Sequence, residues 1–82
     1  MDRIINFRSK IDEIDDKIMS LLEERYNVSE EIGHAKSKSN SNVLDLKREK
    51  KILDKASQYS HSTQIEAVYQ SIFEQSKELQ RK

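Results

Sequence analysis

Residues 4–35 read IINFRSKIDEIDDKIMSLLEERYNVSEEIGHA, and their spacing decides the fold. Ile4, Phe7, Ile11, Ile14, Ile18, Leu21, Arg25, Val28, Ile32 and Ala35 follow one another at intervals of three and four without a slip. That is a heptad seam, apolar at every position but Arg25, and it predicts one long helix over residues 3–38. Leu22 widens the stripe. A rod of that length measures roughly 50 Å. A compact chain of 82 residues has a radius of gyration near ~12 Å and a span of about 30 Å. The seam therefore outruns any core its own molecule can build. The remainder of the stripe would stay in water at a cost of ~25 cal/mol per Å². A second copy of the chain, paired by a two-fold axis, is the economical cover. Isoleucine at both seam positions disfavours a plain parallel two-stranded coil, so an intertwined helical-bundle homodimer is expected.

The rest of the chain extends the all-α reading. There is no Pro and a single Gly, and no stretch alternates as a strand does. Two polar stretches, Ser37–Asn42 and Gln58–Ser62, read as breaks. They leave two shorter helices, 45–57 and 63–81. Asp45 is placed to cap the first of these, with Leu46, Ile52, Leu53 and Ala56 facing inward and Glu49 on the same face. Thr63 with Glu66 has the spacing of a capping box. The stripe of the last helix runs Ile65, Tyr69, Ile72 and Phe73, then Ser76, Leu79 and Gln80. Residues 1–82 are thus expected to form one domain of three helices.

Composition excludes several kinds of function. Fifteen Lys and Arg balance fifteen Asp and Glu, so the formal net charge is zero. A nucleic-acid partner, which wants a basic surplus, is not expected. Without Cys there is no disulfide, thiolate nucleophile or sulfur-based metal site. His34 and His61 do not stand at zinc-ligand spacing, so no metal is expected. No run approaches the ~18 apolar residues that would span a membrane. The opening residues break their apolar run too early for a signal peptide, which makes the cytoplasm the expected compartment.

What remains is a set of polar residues that interrupt the core pattern. Arg25 occupies a seam position. A guanidinium there must find an anion, snorkel to the surface or pair with a carboxylate of a neighbouring helix. Lys36 lies about 16 Å further along nearly the same face. The two could grip opposite ends of a small polyanion, or Lys36 could simply suit the C-terminal end of the helix dipole. Arg8 stands four heptads before Lys36, roughly 42 Å away, so if it serves the same ligand it must come from the partner chain. Asp45, Arg48 and Glu49 gather at the start of the second helix, where cap, surface charge and ligand contact are all open roles. Ser76 and Gln80 sit four apart on the last helix, in the site or in a fraying turn. Any catalysis here would work by clamping and electrostatics.

These residues fall in motifs that resemble a known family, the all-helical class of chorismate mutase. Phe7-Arg8-Ser9-Lys10-Ile11-Asp12-Glu13-Ile14-Asp15 resembles its Leu-Arg-x-x-Ile-Asp-x-Ile/Leu-Asp opening. Leu21-Leu22-Glu23-Glu24-Arg25 resembles Leu-Leu-x-x-Arg. Ile32-Gly33-His34-Ala35-Lys36 resembles Ile/Val-Gly-x-x-Lys, and Asp45-Leu46-Lys47-Arg48-Glu49 resembles Asp-x-x-Arg-Glu. Glu74-Gln75-Ser76 with Gln80 resembles the closing Glu-x-Ser-x-x-x-Gln. The likeness spans nearly the whole chain, in order. It departs where the family often carries Pro before the Asp45 motif; here Ser41-Asn42-Val43-Leu44 stands instead. Phe7 also replaces the usual Leu.

The resemblance implies a reaction and a set of roles. Chorismate would rearrange to prephenate, a step toward phenylalanine and tyrosine, with no cofactor. Arg25 would bind one carboxylate and Arg8 of the partner chain the other. Lys36 would contact the ether oxygen and a carboxylate, and Gln80 would donate to the same oxygen. Glu49, with backbone near Asp45, would hold the ring hydroxyl, while Arg48 and Ser76 complete the carboxylate contacts. Two alternatives stand beside it: an isochorismate–pyruvate lyase on the same scaffold, which Glu49 disfavours, and a non-catalytic helical dimerisation module.

Overall fold

A computed structural model describes residues 2–39 and 45–81. Three helices account for them: α1 Asp2–Ser39, α2 Leu46–Ala56 and α3 Ser62–Arg81. Among the described residues there is no strand, so the all-α reading holds, and each expected helix end agrees to within one residue. α1 continues through Ser37–Ser39, the first half of the stretch expected to break it. Those serines carry no backbone barrier to helix, since the chain there has neither Gly nor Pro. Asn40, Ser41 and Asn42, with Val43 and Leu44, lie outside the described residues.

Local chemistry sets the other ends. Asp45 is the cap of α2 as expected: its φ of −134° stands outside the helix, and its carboxylate accepts from the Arg48 N–H at 3.0 Å. Its carbonyl takes the first helical bond, from Glu49 N–H at 3.1 Å. At the far end the Ser57 N–H reaches the Leu53 carbonyl, and the Ser57 hydroxyl donates to the Asp54 carbonyl at 2.6 Å. α3 begins one residue before the expected capping box. The His61 carbonyl already accepts from Ile65 N–H at 3.0 Å, so Thr63 lies inside the first turn and not at the cap. Leu46, expected to face inward, is 67% exposed. It is the first residue of α2, and the inward face begins only with Glu49, Ile52, Leu53 and Ala56.

α3 is the centre of the fold. It packs against α1 and against α2, while α1 and α2 do not pack on each other. Among the described residues the buried apolar side chains are few: Ala56, Ile72 and Phe73, with Ser29 and Ser76 also buried. α1 and α3 come close together where Gly33 of α1 faces the Gln80 backbone of α3. A Cβ on Gly33 would stand 2.7 Å from both the Gln80 Cα and its carbonyl oxygen. Those are backbone atoms and cannot swing aside.

The chain is an elongated body of 57 × 23 × 14 Å with a radius of gyration of 16.0 Å, well beyond the ~12 Å of a compact chain this long. Every residue from 2 to 21 is exposed. On the seam, Ile4, Phe7, Ile11, Ile14, Ile18, Leu21, Val28 and Ile32 are all between 37% and 62% exposed. No helix among the described residues is long and apolar enough to cross a membrane.

Gly33→Ala sets two effects against each other. Alanine improves helix propensity by about 1 kcal/mol. Overpacking against a backbone that cannot retreat costs about 3 kcal/mol. We expect a net loss and a Tm lower by about 10 °C in a thermal melt at fixed protein concentration. An unchanged or higher Tm would mean that α1 and α3 part without cost.

Candidate active site

The site is a cleft of about 580 Å³ with α3 as its floor and α1 and α2 as its walls. Arg25, Val28, Ser29, Ile32 and Lys36 line it from α1. They lie on the inner face because their spacings of three, four and seven return to one side of a helix. Asp45, Arg48, Glu49 and Ile52 line it from the cap and first turns of α2. Phe73, Ser76, Lys77 and Gln80 line it from α3, again at intervals of three and four.

Arg25 is held from below by α3. Its Nη1 donates to the Ser76 hydroxyl at 2.7 Å, and its guanidinium stands 6.0 Å from the centre of the Tyr69 ring. Tyr69 is itself steadied by Phe73, the two rings lying 5.7 Å apart and tilted. The anion that a seam arginine was expected to need is therefore not a carboxylate of a neighbouring helix. Among the described residues no Asp or Glu forms an ion pair with it. The hydroxyl occupies one of five N–H donors, and its own hydrogen is left to donate elsewhere.

Gln80 stands one turn beyond Ser76 on α3. Its Oε1 is buried and has no hydrogen-bond partner among the described residues. A buried amide oxygen without a partner costs about 1–3 kcal/mol, and a half-turn of the amide exchanges its oxygen for two N–H donors. Such a group is poised to meet a ligand. Its depth in the cleft follows from Gly33, whose missing side chain lets the Gln80 backbone sit against α1. Glu49, from α2, reaches across to Lys77 of α3 at 3.6 Å.

The cleft thus brings together Arg25, Lys36, Asp45, Arg48, Glu49, Ser76 and Gln80, seven of the eight residues singled out from the motifs. It does not include Arg8, which is exposed on α1 about 25 Å before Arg25. It adds Lys77, Glu24 and Ser29, which the motifs had not marked. Lys77 follows Phe73 by four and precedes Gln80 by three, so it shares their column on α3. That spacing was the available signal. Among the described residues no cluster of His, Asp and Glu could hold a metal ion.

Residues 7–81 match the sequence profile of the family described as chorismate mutase type II. The chain belongs to this family. Three relatives place the match more closely. A bifunctional chorismate mutase/prephenate dehydratase of Buchnera aphidicola subsp. Acyrthosiphon pisum is 37% identical over 96% of this chain. A chorismate mutase of Methanocaldococcus jannaschii is 28% identical over 99% of it. A bifunctional chorismate mutase/prephenate dehydratase of Aquifex aeolicus is 38% identical over 67% of it. The chain spans 22% of the Buchnera protein, 15% of the Aquifex protein and 87% of the Methanocaldococcus one. The matched range takes in every motif from Phe7 to Gln80 and every residue that lines the cleft.

Proposed function

We propose that the chain, acting as one domain, rearranges chorismate to prephenate in the cytoplasm as a homodimer, each site borrowing Arg8 from the other chain. The observation that carries this reading is the convergence of Arg25, Lys36, Asp45, Arg48, Glu49, Ser76 and Gln80 on one cleft. They come from three helices and are spread over 56 positions of sequence, and their chemistry is that of a clamp for a small hydroxylated diacid.

The reaction is intramolecular. The ether C–O bond breaks as a new C–C bond forms, and no proton changes hands. A protein must therefore fold the enolpyruvyl arm over the ring and stabilise the negative charge that grows on the ether oxygen. Arg25 takes one carboxylate with the donors that Ser76 leaves open. Arg8 of the second chain takes the other carboxylate, and Arg48 and Ser76 complete the grip. Lys36 and the amide N–H of Gln80 face the ether oxygen. Glu49 accepts from the ring hydroxyl, beside the cap at Asp45. The orphaned Gln80 oxygen fits this role: the amide has no internal bond to surrender before it turns toward the substrate.

Dimerisation is supported by surface. A compact monomer of 9.7 kDa exposes roughly 5,100 Å². This chain exposes 7121 Å². Two such chains would have roughly 4,000 Å² of excess surface to share, which falls within the range of obligate homodimers. Ten of the thirteen exposed large apolar side chains among the described residues lie on α1, the helix that carries Arg8.

The deciding assay offers chorismate and isochorismate separately and identifies the products. We expect loss of chorismate with prephenate formed; salicylate with pyruvate from isochorismate and no prephenate from chorismate, or no turnover of either, would refute the reading. Arg8→Ala and Arg25→Ala chains, each inactive alone, should recover partial activity when mixed, since one site of the heterodimer keeps both arginines. If heterodimers form and stay inactive, Arg8 does not act in trans. Gln80→Glu should be slow at neutral pH and recover as the pH falls toward the ordinary glutamate range near ~4.3, where the carboxyl regains a proton to donate. A flat pH profile at full rate would remove Gln80 from the ether oxygen.

A further inference from the structure

We propose that Lys77, which no motif of the family marks, is a positioning residue of this site. It holds the Glu49 carboxylate across the gap between α2 and α3 and offsets that residue's charge toward an incoming dianion. The inference rests on reading Glu49 as the hydroxyl acceptor and the substrate as a dicarboxylate.

Three observations carry it. The first is contact: Lys77 Nζ stands 3.6 Å from Glu49 Oε2, with the two side chains only 23% and 22% exposed. Pairing through one oxygen leaves the other oxygen of the carboxylate for a hydroxyl. The second is architecture. α2 packs only on α3, so the direction of Glu49 depends on what α3 offers it. Lys77 is the α3 cation within reach, and both residues line the cleft.

The third is charge. Among the described residues four cations line the cleft, Arg25, Lys36, Arg48 and Lys77, against the carboxylates of Glu24, Asp45 and Glu49. The surplus is one. Arg8 from a second chain would raise it to two, matching the two carboxylates of chorismate. Without Lys77 the complete site falls one charge short, and Glu49 faces the dianion uncompensated. A carboxylate needed for a hydroxyl but repelled by the substrate's charge requires such a counter-ion.

The test is steady-state kinetics on chorismate with the whole chain. Lys77→Met keeps the aliphatic stem and removes the charge. We expect KM to rise about fivefold with kcat within about twofold, the pattern of a lost contribution to binding shared by ground and transition states. Lys77→Arg should stay within about twofold of the unaltered protein in both constants. In a Glu49→Gln background, which carries its own loss from the hydroxyl contact, Lys77→Met should raise KM by less than about twofold, because the charge that Lys77 offsets is gone. Independent residues would instead multiply their separate losses, and that result overturns the proposal. So does an unchanged KM for Lys77→Met, or a fall in Tm with no change in KM, which would make the pair structural alone. If the unaltered protein turns over no chorismate, the reading of the site falls together with this one. If it does, and Lys77→Met matches it, only this one falls.

Discussion

The apolar seam of α1 has no place to go within its own chain, and the rest of the structure follows from that mismatch. Thirty-eight residues of helix stand beside partners of 11 and 20. Only the second half of α1 finds α3, from Arg25 through Ser29 to Gly33. The part before it projects with its isoleucines in water. A helix of that length is stable only against another apolar surface, because propensity alone does not hold so charged a rod. The unmet demand for burial and the distance of Arg8 from the cleft go together: the residue proposed to act in trans lies on the helix whose apolar surface is uncovered.

Within the folded part, the close approach of Gly33 to Gln80 governs the site. It brings α3 down on α1, which places Ser76 under Arg25 and Gln80 deep in the floor. α2 then closes the third side while leaning on α3 alone. The cleft is therefore built from one tight helix crossing and one looser attachment. The tighter crossing carries the groups assigned to the breaking bond, and the looser one carries those assigned to the ring hydroxyl.

Much of this was legible in the residues. The uninterrupted three-and-four spacing from Ile4 to Ala35 left no choice but a long helix, and Asp45 announced a cap by its type and place. The polar residues that broke the apolar stripes were the ones that gathered in the cleft, since a buried polar group without a structural reason usually has a chemical one. Other features depended on contacts that no linear pattern carries. Gly33 reads as an isolated glycine in a helix until the backbone of Gln80 is seen against it. Lys77 reads as a solvated lysine until α2 brings Glu49 to it. α3 starts one residue earlier than expected because the His61 carbonyl already accepts the first helical bond, from Ile65 N–H, which puts Thr63 inside the first turn. Leu46 was misjudged because a first-turn residue follows the approach of the chain more than the stripe of its helix.

The hydroxyl that supports Arg25 has one more implication. Had a glutamate stood where Ser76 does, the guanidinium would already be neutralised, and any visiting acid would first have to evict an internal rival. A neutral acceptor fixes the direction of the side chain and leaves its field undiminished. The guanidinium thus keeps its full attraction for an anion, and pairing with one displaces no carboxylate from Arg25.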